Sequence, residues 1–217
     1  ETDKVRAREK EGEGPLQDFL RETALRHKVW LIGGSIPLEA SVPEKVRNSC
    51  LAFDDAGRRV ARYDKIHLFG YQSGTEHYEE SRTIEAGGEA VAFDSPVGRV
   101  GLSICYDLRF PELYRSMGPV DLLVVPAAFT HTTGQAHWEL LLRARAVENL
   151  CYVLASAQGG THPSGRRTWG DSMVVDPWGA VLERLAQGPG VVTAEIDAAR
   201  IADLRAQLAG QLMADED

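Results

Sequence analysis

The chain has 217 residues, 43% hydrophobic and 26% charged, with 24 Lys and Arg against 32 Asp and Glu for a net charge of −8. That length favours one domain with a core of its own, and the acidic balance argues against nucleic acid or an anionic membrane as the main partner. No apolar run approaches the ~18 residues of a membrane span. The three cysteines, Cys50, Cys105 and Cys151, are too few for a disulfide framework, which points to a reducing cytoplasm. With no Cys-x-x-Cys pair and six scattered histidines, no metal site is expected. The chain opens on Glu1 without an initiator Met or the apolar centre of a signal peptide, so a true start upstream is expected.

Residues 1–13 are dense in charge and read as a polar lead-in or fraying helix. Pro15 suits the first position of a helix running to about Lys28, with Leu16, Phe19, Leu20 and Ala24 on one face. Val29-Trp30-Leu31-Ile32, ended by Gly33-Gly34, predicts a strand buried on both faces. Segments 47–54 and 58–63 flank Asp55-Ala56-Gly57 as a hairpin. Residues 64–88 lack a period and read as a long functional loop. A second hairpin joins 90–94 to a strand running from Arg99 into Cys105.

Pro111 opens a short helix, and 120–126 is a doubly buried strand. Residues 135–150 have helical spacing, with Leu140, Ala144 and Val147 on the apolar face and Arg143, Arg145 and Glu148 among the polar positions. Residues 151–157 predict another buried strand; 168–176, a turn at Pro177-Trp178-Gly179, 181–185 and 190–196 complete about nine strands, and 198–209 closes as a helix. No repeat or linker breaks the chain, so one domain over 1–217 is expected, a mixed sheet layered with helices. Pattern alone leaves an α/β sandwich and a three-layer doubly wound sheet both open.

Cys105 carries the strongest chemical signal. It stands between a strand and a Pro-opened helix, at the strand end where α/β proteins place ligands. Partial exposure and nearby N–H groups there favour the thiolate; the plain alternative is a small core residue. Asp107, Arg109 and Glu112 read first as charges that hold the turn. Cys50 and Cys151 lie in apolar strand patterns and read as packing. Lys65 follows a strand, where a buried ammonium stabilises an oxyanion, or a solvated one does nothing. Glu76, Glu79 and Glu80 crowd one loop, and one of them paired to Lys65 would keep it charged and oriented. His67 reads as a loop hydrogen-bonder. Phe129, Thr130 and His131 leave a buried strand towards the edge that carries Cys105.

The stretches Tyr63-Asp64-Lys65-Ile66-His67-Leu68-Phe69, Tyr78-Glu79-Glu80-Ser81, Gly101-Leu102-Ser103-Ile104-Cys105-Tyr106-Asp107-Leu108-Arg109-Phe110-Pro111-Glu112-Leu113 and 137–149 together resemble the nitrilase, or carbon–nitrogen hydrolase, superfamily over essentially the whole chain. Residues 157–160, His162, Gly165-Arg166 and 172–179 are most similar to its deaminated glutathione amidase branch, with omega-amidases close by. The resemblance implies an α/β fold, a four-layer α-β-β-α sandwich of two mixed sheets in a homodimer, and a Glu–Lys–Cys triad with no metal or organic cofactor. It makes Cys105 the nucleophile, Lys65 the oxyanion-stabilising lysine, and Glu80 (beside Glu79) the lysine's positioning glutamate. Tyr106 matches the position whose N–H completes the oxyanion hole; Arg109, Phe129, Thr130 and His131 are expected at the substrate from their place by the Cys105 edge, with Arg109 and Arg166 as candidate carboxylate partners.

The family's general-base glutamate sits in a Pro-Glu-Asn-type motif after a first strand–helix–strand unit, and neither has a match in these 217 residues. Glu1 falls downstream of the expected place and is not put in its stead. The tail Gln207–Asp217 also departs from the family's usual ending. The expected activity is hydrolysis of a small linear carboxamide to acid and ammonia, nearly lost in the chain as written. The alternatives are an omega-amidase acting on short 2-oxo amides, a catalytically dead binding module with the same fold, and a Cys–His hydrolase.

Overall fold

The computed structural model describes residues 2–74 and 76–208. Glu1 and most of the C-terminal tail lie outside the described residues. The chain divides between Val91 and Ala92 into two compact units.

The first unit opens with α1 (Thr2–Arg6) and α2 (Pro15–His27). Pro15 takes the first turn of α2, and Lys28 ends it in the left-handed conformation at φ 55°. Sequence pattern gave no hint of the N-terminal cap. The Glu9 carboxylate, almost fully buried, accepts the Leu16 N–H at 2.6 Å and the Gln17 N–H at 3.2 Å. It thereby satisfies donors that the helix itself cannot and sets a negative charge at the positive end of the dipole. Gln17 is buried because its side-chain amide donates to the Lys10 and Glu13 carbonyls at 2.7 Å each. The buried stripe of α2 is therefore Gln17, Leu20 and Ala24, whereas Leu16 and Phe19, expected on that face, are exposed.

Its sheet is built on β3 (Val46–Phe53), which pairs antiparallel with β1 (Leu31–Ile32), β2 (Ile36–Glu39) and β4 (Arg59–Asp64). Ser49 faces both Ile36 and Asp64, which puts β2 and β4 on opposite edges of β3. Leu20, Ala24, Ile36, Leu38, Leu51 and Phe53 form the core between α2 and this sheet, and each of these side chains larger than Ala24 contributes roughly 1.5–3 kcal/mol. The β3–β4 hairpin turns as expected at Asp55-Ala56-Gly57: the Asp54 carboxylate accepts the Ala56 and Arg58 N–H groups at 3.0 and 2.8 Å, and Gly57 sits at φ 74°.

Two expectations fail in this unit. Val29–Ile32 is not a doubly buried strand, since only Leu31 and Ile32 pair, and Val29 and Trp30 are exposed. Val29 and Trp30 fall in the connection between the left-handed end of α2 at Lys28 and the strand, outside the sheet. The loop 64–88 holds a hairpin of β5 (Gly70–Ser73) and β6 (Glu76–Glu79), then a 3₁₀ turn at Glu80–Arg82. Its mixed Gly, Glu and aromatic content masked the alternation.

The second unit carries a six-stranded sheet in the order β14-β13-β10-β9-β8-β7. Its strands are β7 (Val91–Ser95), β8 (Gly98–Leu102), β9 (Leu122–Ala127), β10 (Tyr152–Ala157), β13 (Ser172–Val175) and β14 (Val181–Leu185); β11 (Gly159–Thr161) and β12 (Arg167–Trp169) pair separately. β8, β9 and β10 run parallel, and β10, β13 and β14 antiparallel, a mixed sheet as expected. The crossovers hold α3 (Pro111–Ser116) and α4 (His131–Asn149), and α5 (Ala198–Gln207) closes the unit behind an Asp197 cap.

Helix α4 shows the face opposite to the expected one. Trp138, Leu142, Arg145, Ala146 and Asn149 are buried, while Leu140 is 67% exposed and Val147 41%. Arg145 can lie inside because its Nε donates to the Leu108 carbonyl at 3.0 Å and its Nη1 pairs with Glu148 at 2.6 Å. β10 is likewise half open, Leu154 being exposed, and residues 190–196 form no strand. No helix among the described residues is long and apolar enough to cross a membrane.

Candidate active site

The expected site residues fall in both units. In the first, Lys65 directly follows β4 with its backbone fixed on both sides: its N–H donates to the Asn48 carbonyl at 2.9 Å, and its carbonyl accepts the Gly87 N–H at 2.8 Å. Its side chain is fully buried, and Nζ donates to Glu80 Oε2 at 2.5 Å. The same oxygen accepts the Phe69 N–H at 2.9 Å. Burial pushes the Glu80 carboxyl up, but the Lys65 ammonium and these hydrogen bonds outweigh it, so Glu80 titrates below its ordinary range. The choice left open by sequence falls on Glu80, since Glu79 lies half exposed, 3.9 Å from His77.

In the second unit, β8 ends at Leu102, three residues before Cys105, so the strand does not run into the cysteine as expected. Cys105 instead opens a 3₁₀ turn, Cys105–Arg109, and stands at φ 54°, a left-handed conformation rare for a residue with a Cβ. The turn is tied down around it. Asp107 Oδ2 accepts the Ile104 N–H at 2.8 Å, and Arg145 holds the Leu108 carbonyl. Beneath it, the buried Tyr114 hydroxyl donates to Ser103 Oγ at 3.0 Å, and Ser103 Oγ donates to the Val124 carbonyl at 3.1 Å. Burial first of all pushes the Tyr114 hydroxyl well above the usual phenol range.

Cys105 is half-buried, whereas Cys50 and Cys151 are fully buried. Burial pushes the Cys50 thiol up to about 12 and the Cys151 thiol higher still. Both behave as the packing residues their strand patterns suggested.

β8 and β9 run parallel with Leu102 opposite Val124, so Cys105 and Phe129 leave the same carboxyl edge of the sheet. Arg109 joins the two segments, its guanidinium carbon lying 5.8 Å from the Tyr106 ring centre and 5.6 Å from that of Phe129. Its Nη2 also contacts His137 Nδ1 at 3.2 Å. Thr130 and His131 take other partners: Thr130 Oγ1 bonds Thr133 Oγ1 at 2.7 Å, and the His131 ring packs on Trp169. Arg166 Nη2 donates to the Ala128 carbonyl at 2.8 Å. Glu112 is exposed and His67 half-buried.

Comparison with known proteins settles the family. The carbon–nitrogen hydrolase family model matches residues 1–206. The chain belongs to the carbon–nitrogen hydrolase family.

It is 47% identical over 191 residues to the deaminated glutathione amidase of Yersinia enterocolitica, covering 86% of this chain and 66% of that one. It is 43% identical over 193 residues to the omega-amidase NIT2 of Homo sapiens, covering 87% and 69%. Among solved structures, XC1258 of Xanthomonas campestris, a CN-hydrolase superfamily protein with an arsenic adduct in its active site, matches with a TM-score of 0.85 at 30% identity, covering 100% of this chain and 80% of that one. The chain thus spans 66% and 69% of the length of these two amidases.

Within this carbon–nitrogen hydrolase, sequence reading missed the supports of the Cys105 turn: Ser103, Tyr114 and Arg145. Arg145 was the least legible, being a charged residue whose burial follows only from its place beside Leu142 and Ala146. An open cleft of about 360 Å³ in the first unit is lined by Arg47, Arg62, Asp64, Gly87, Gly88, Glu89 and Val91. It contains none of the expected site residues, and its arginines are already paired with Glu85, Glu11 and Asp64.

Proposed function

We propose that this carbon–nitrogen hydrolase cleaves a small linear carboxamide to acid and ammonia through a thioester on Cys105. The contrast among its cysteines carries the reading: two are sealed in the core with their thiols pushed up, and the third is half-buried on a braced turn beyond parallel strands. The buried ammonium of Lys65, held by Glu80, supports it independently.

In the proposed reaction a glutamate general base takes the Cys105 proton, and Sγ attacks the amide carbonyl. Lys65 Nζ and the Tyr106 N–H stabilise the oxyanion. The protonated glutamate gives its proton to the departing ammonia. Water activated by the same glutamate then attacks the thioester and releases the acid. Glu80 acts through Lys65 by keeping it charged and oriented. No residue among the 217 is assigned as the base, so these residues alone are expected to run slower by about 10²–10⁴.

The proposed substrate is deaminated glutathione, an amide on an acidic peptide-like molecule, supported by the 47% identity to an enzyme of that name. Arg109, over the rings of Tyr106 and Phe129, is the proposed partner for its carboxylate, with Thr130 and His131 lining the same edge. We further propose that both units belong to one domain of four-layer α-β-β-α type, supported by a family match that spans them. The homodimer rests on the family resemblance, and the cytoplasmic location on the low cysteine count of the sequence.

The test is ammonia release from deaminated glutathione by the full-length protein and its Cys105→Ala variant. Release confined to the unsubstituted protein is expected. Equal rates from both would remove Cys105 from the mechanism.

A further inference from the structure

The Cys105–Arg109 turn contains a fully buried carboxylate, Asp107, two residues after the sulfur. A negative charge so placed opposes formation of a thiolate, so electrostatics alone would disfavour it. Its hydrogen bonds explain its presence. Asp107 Oδ2 accepts the Ile104 N–H at 2.8 Å, and the Asp107 N–H donates to the Ile104 carbonyl at 3.1 Å. Ile104 and Asp107 are thus locked to each other by side chain and main chain. Only Cys105 and Tyr106 lie inside the closed loop. The loop is also where the backbone leaves its ordinary range, at Cys105 φ 54°, a conformation that persists only where its surroundings fix it. Beyond Asp107 the path is held separately, by Phe110 N–H on the Asp107 carbonyl at 2.9 Å and by Arg145 on Leu108.

We propose that Asp107 is a positioning residue of the reaction: by clamping Ile104 it holds Cys105 in its left-handed conformation and so aims both Sγ and the Tyr106 N–H at the reacting carbonyl. This rests on the reading of Cys105 as nucleophile. The carboxylate acts as a hydrogen-bond acceptor and takes no proton from substrate or water. An amide oxygen in its place should serve the same purpose.

The experiment compares Asp107→Ala and Asp107→Asn with the unsubstituted full-length protein, with rates normalised to the folded fraction read by circular dichroism. In Asp107→Ala, kcat is expected to fall about 10²-fold, the cost of a misaimed reacting group, while KM stays within about threefold. An aldehyde analogue of the substrate, which forms a thiohemiacetal oxyanion, should lose affinity in parallel. Asp107→Asn is expected to bring kcat and aldehyde affinity back to within about fivefold. A merely structural role would lower the folded fraction and leave kcat per folded molecule unchanged; that outcome overturns the proposal, as does Asp107→Asn falling as far as Asp107→Ala. Should Asp107→Ala not fold, Asp107→Asn still decides: near-native kcat supports the clamp, and a loss of about 10²-fold refutes it. Full activity in Cys105→Ala would instead fail the parent reading, a separate arm of the same assay.

Discussion

Replacing Glu80 by Gln removes one charge and leaves the shape of the Lys65 site nearly intact. The Lys65 side chain is fully buried and that of Glu80 15% exposed, so the ammonium would be left in the interior without its counter-ion. Gln still offers an oxygen to the Phe69 N–H, and the loss therefore isolates the charge. Breaking a buried pair from one side costs about 3–5 kcal/mol, and the slight solvent access of Glu80 places the expected loss near 3 kcal/mol. Urea unfolding of both proteins at pH 7 measures it. The pH dependence follows from the lowered titration of Glu80. In the unfolded chain the carboxyl titrates near its ordinary 4.5, and in the folded protein below it. The ion pair's contribution is therefore complete above that value and disappears as pH falls through the folded one. The gap between unsubstituted and Glu80→Gln proteins should hold from pH 7 to about pH 5 and close in more acidic solution. A difference under about 1 kcal/mol at pH 7, the size of a surface pair, would refute the reasoning.

Helix α4 gives a paired test of which face is inside: Leu142→Ala should lower stability by about 2–5 kcal/mol, and Leu140→Ala by no more than about 0.5 kcal/mol. Equal losses in urea unfolding would mean that the helix is rotated from its described position. Cysteine labelling tests the contrast among the thiols. Iodoacetamide should modify Cys105 in the native protein well before Cys50 and Cys151, as read by peptide mass mapping, and early labelling of either buried cysteine would contradict the packing.

Local rules served well where a residue's role is set by its chain neighbours. Pro15 and Pro111 opened helices because a missing N–H costs nothing in a first turn. Asp55-Ala56-Gly57 turned β3 into β4, and continuous apolar residues marked β9 as a buried parallel strand. Failures came where a partner distant in the chain decides. The α4 periodicity fits two faces, and the buried one, carrying Trp138, Leu142 and Ala146, admits Arg145 because the Leu108 carbonyl and Glu148 satisfy it. Leu16 and Phe19 lost the α2 interior to Gln17 because Glu9 and two backbone carbonyls accept from its amide and the Gly12 N–H donates to its oxygen. In the candidate site, Cys105 was legible from strand, turn and Pro. The choice of Glu80 over Glu79 needed three dimensions, since the 3₁₀ turn at Glu80 directs one carboxylate inward and leaves its neighbour in water. Asp107 was legible as a charge that holds the turn, whereas its partner, the Ile104 N–H, and the left-handed Cys105 were beyond pattern, because neither alters spacing or hydropathy.

The most direct test of the central claim is to quench the full-length protein in acid during turnover of deaminated glutathione and weigh its peptides. The account predicts that the Cys105 peptide gains the mass of the substrate less ammonia and that the Cys105→Ala protein gains nothing. An acyl group on another residue, or turnover by Cys105→Ala at the unsubstituted rate, would contradict it.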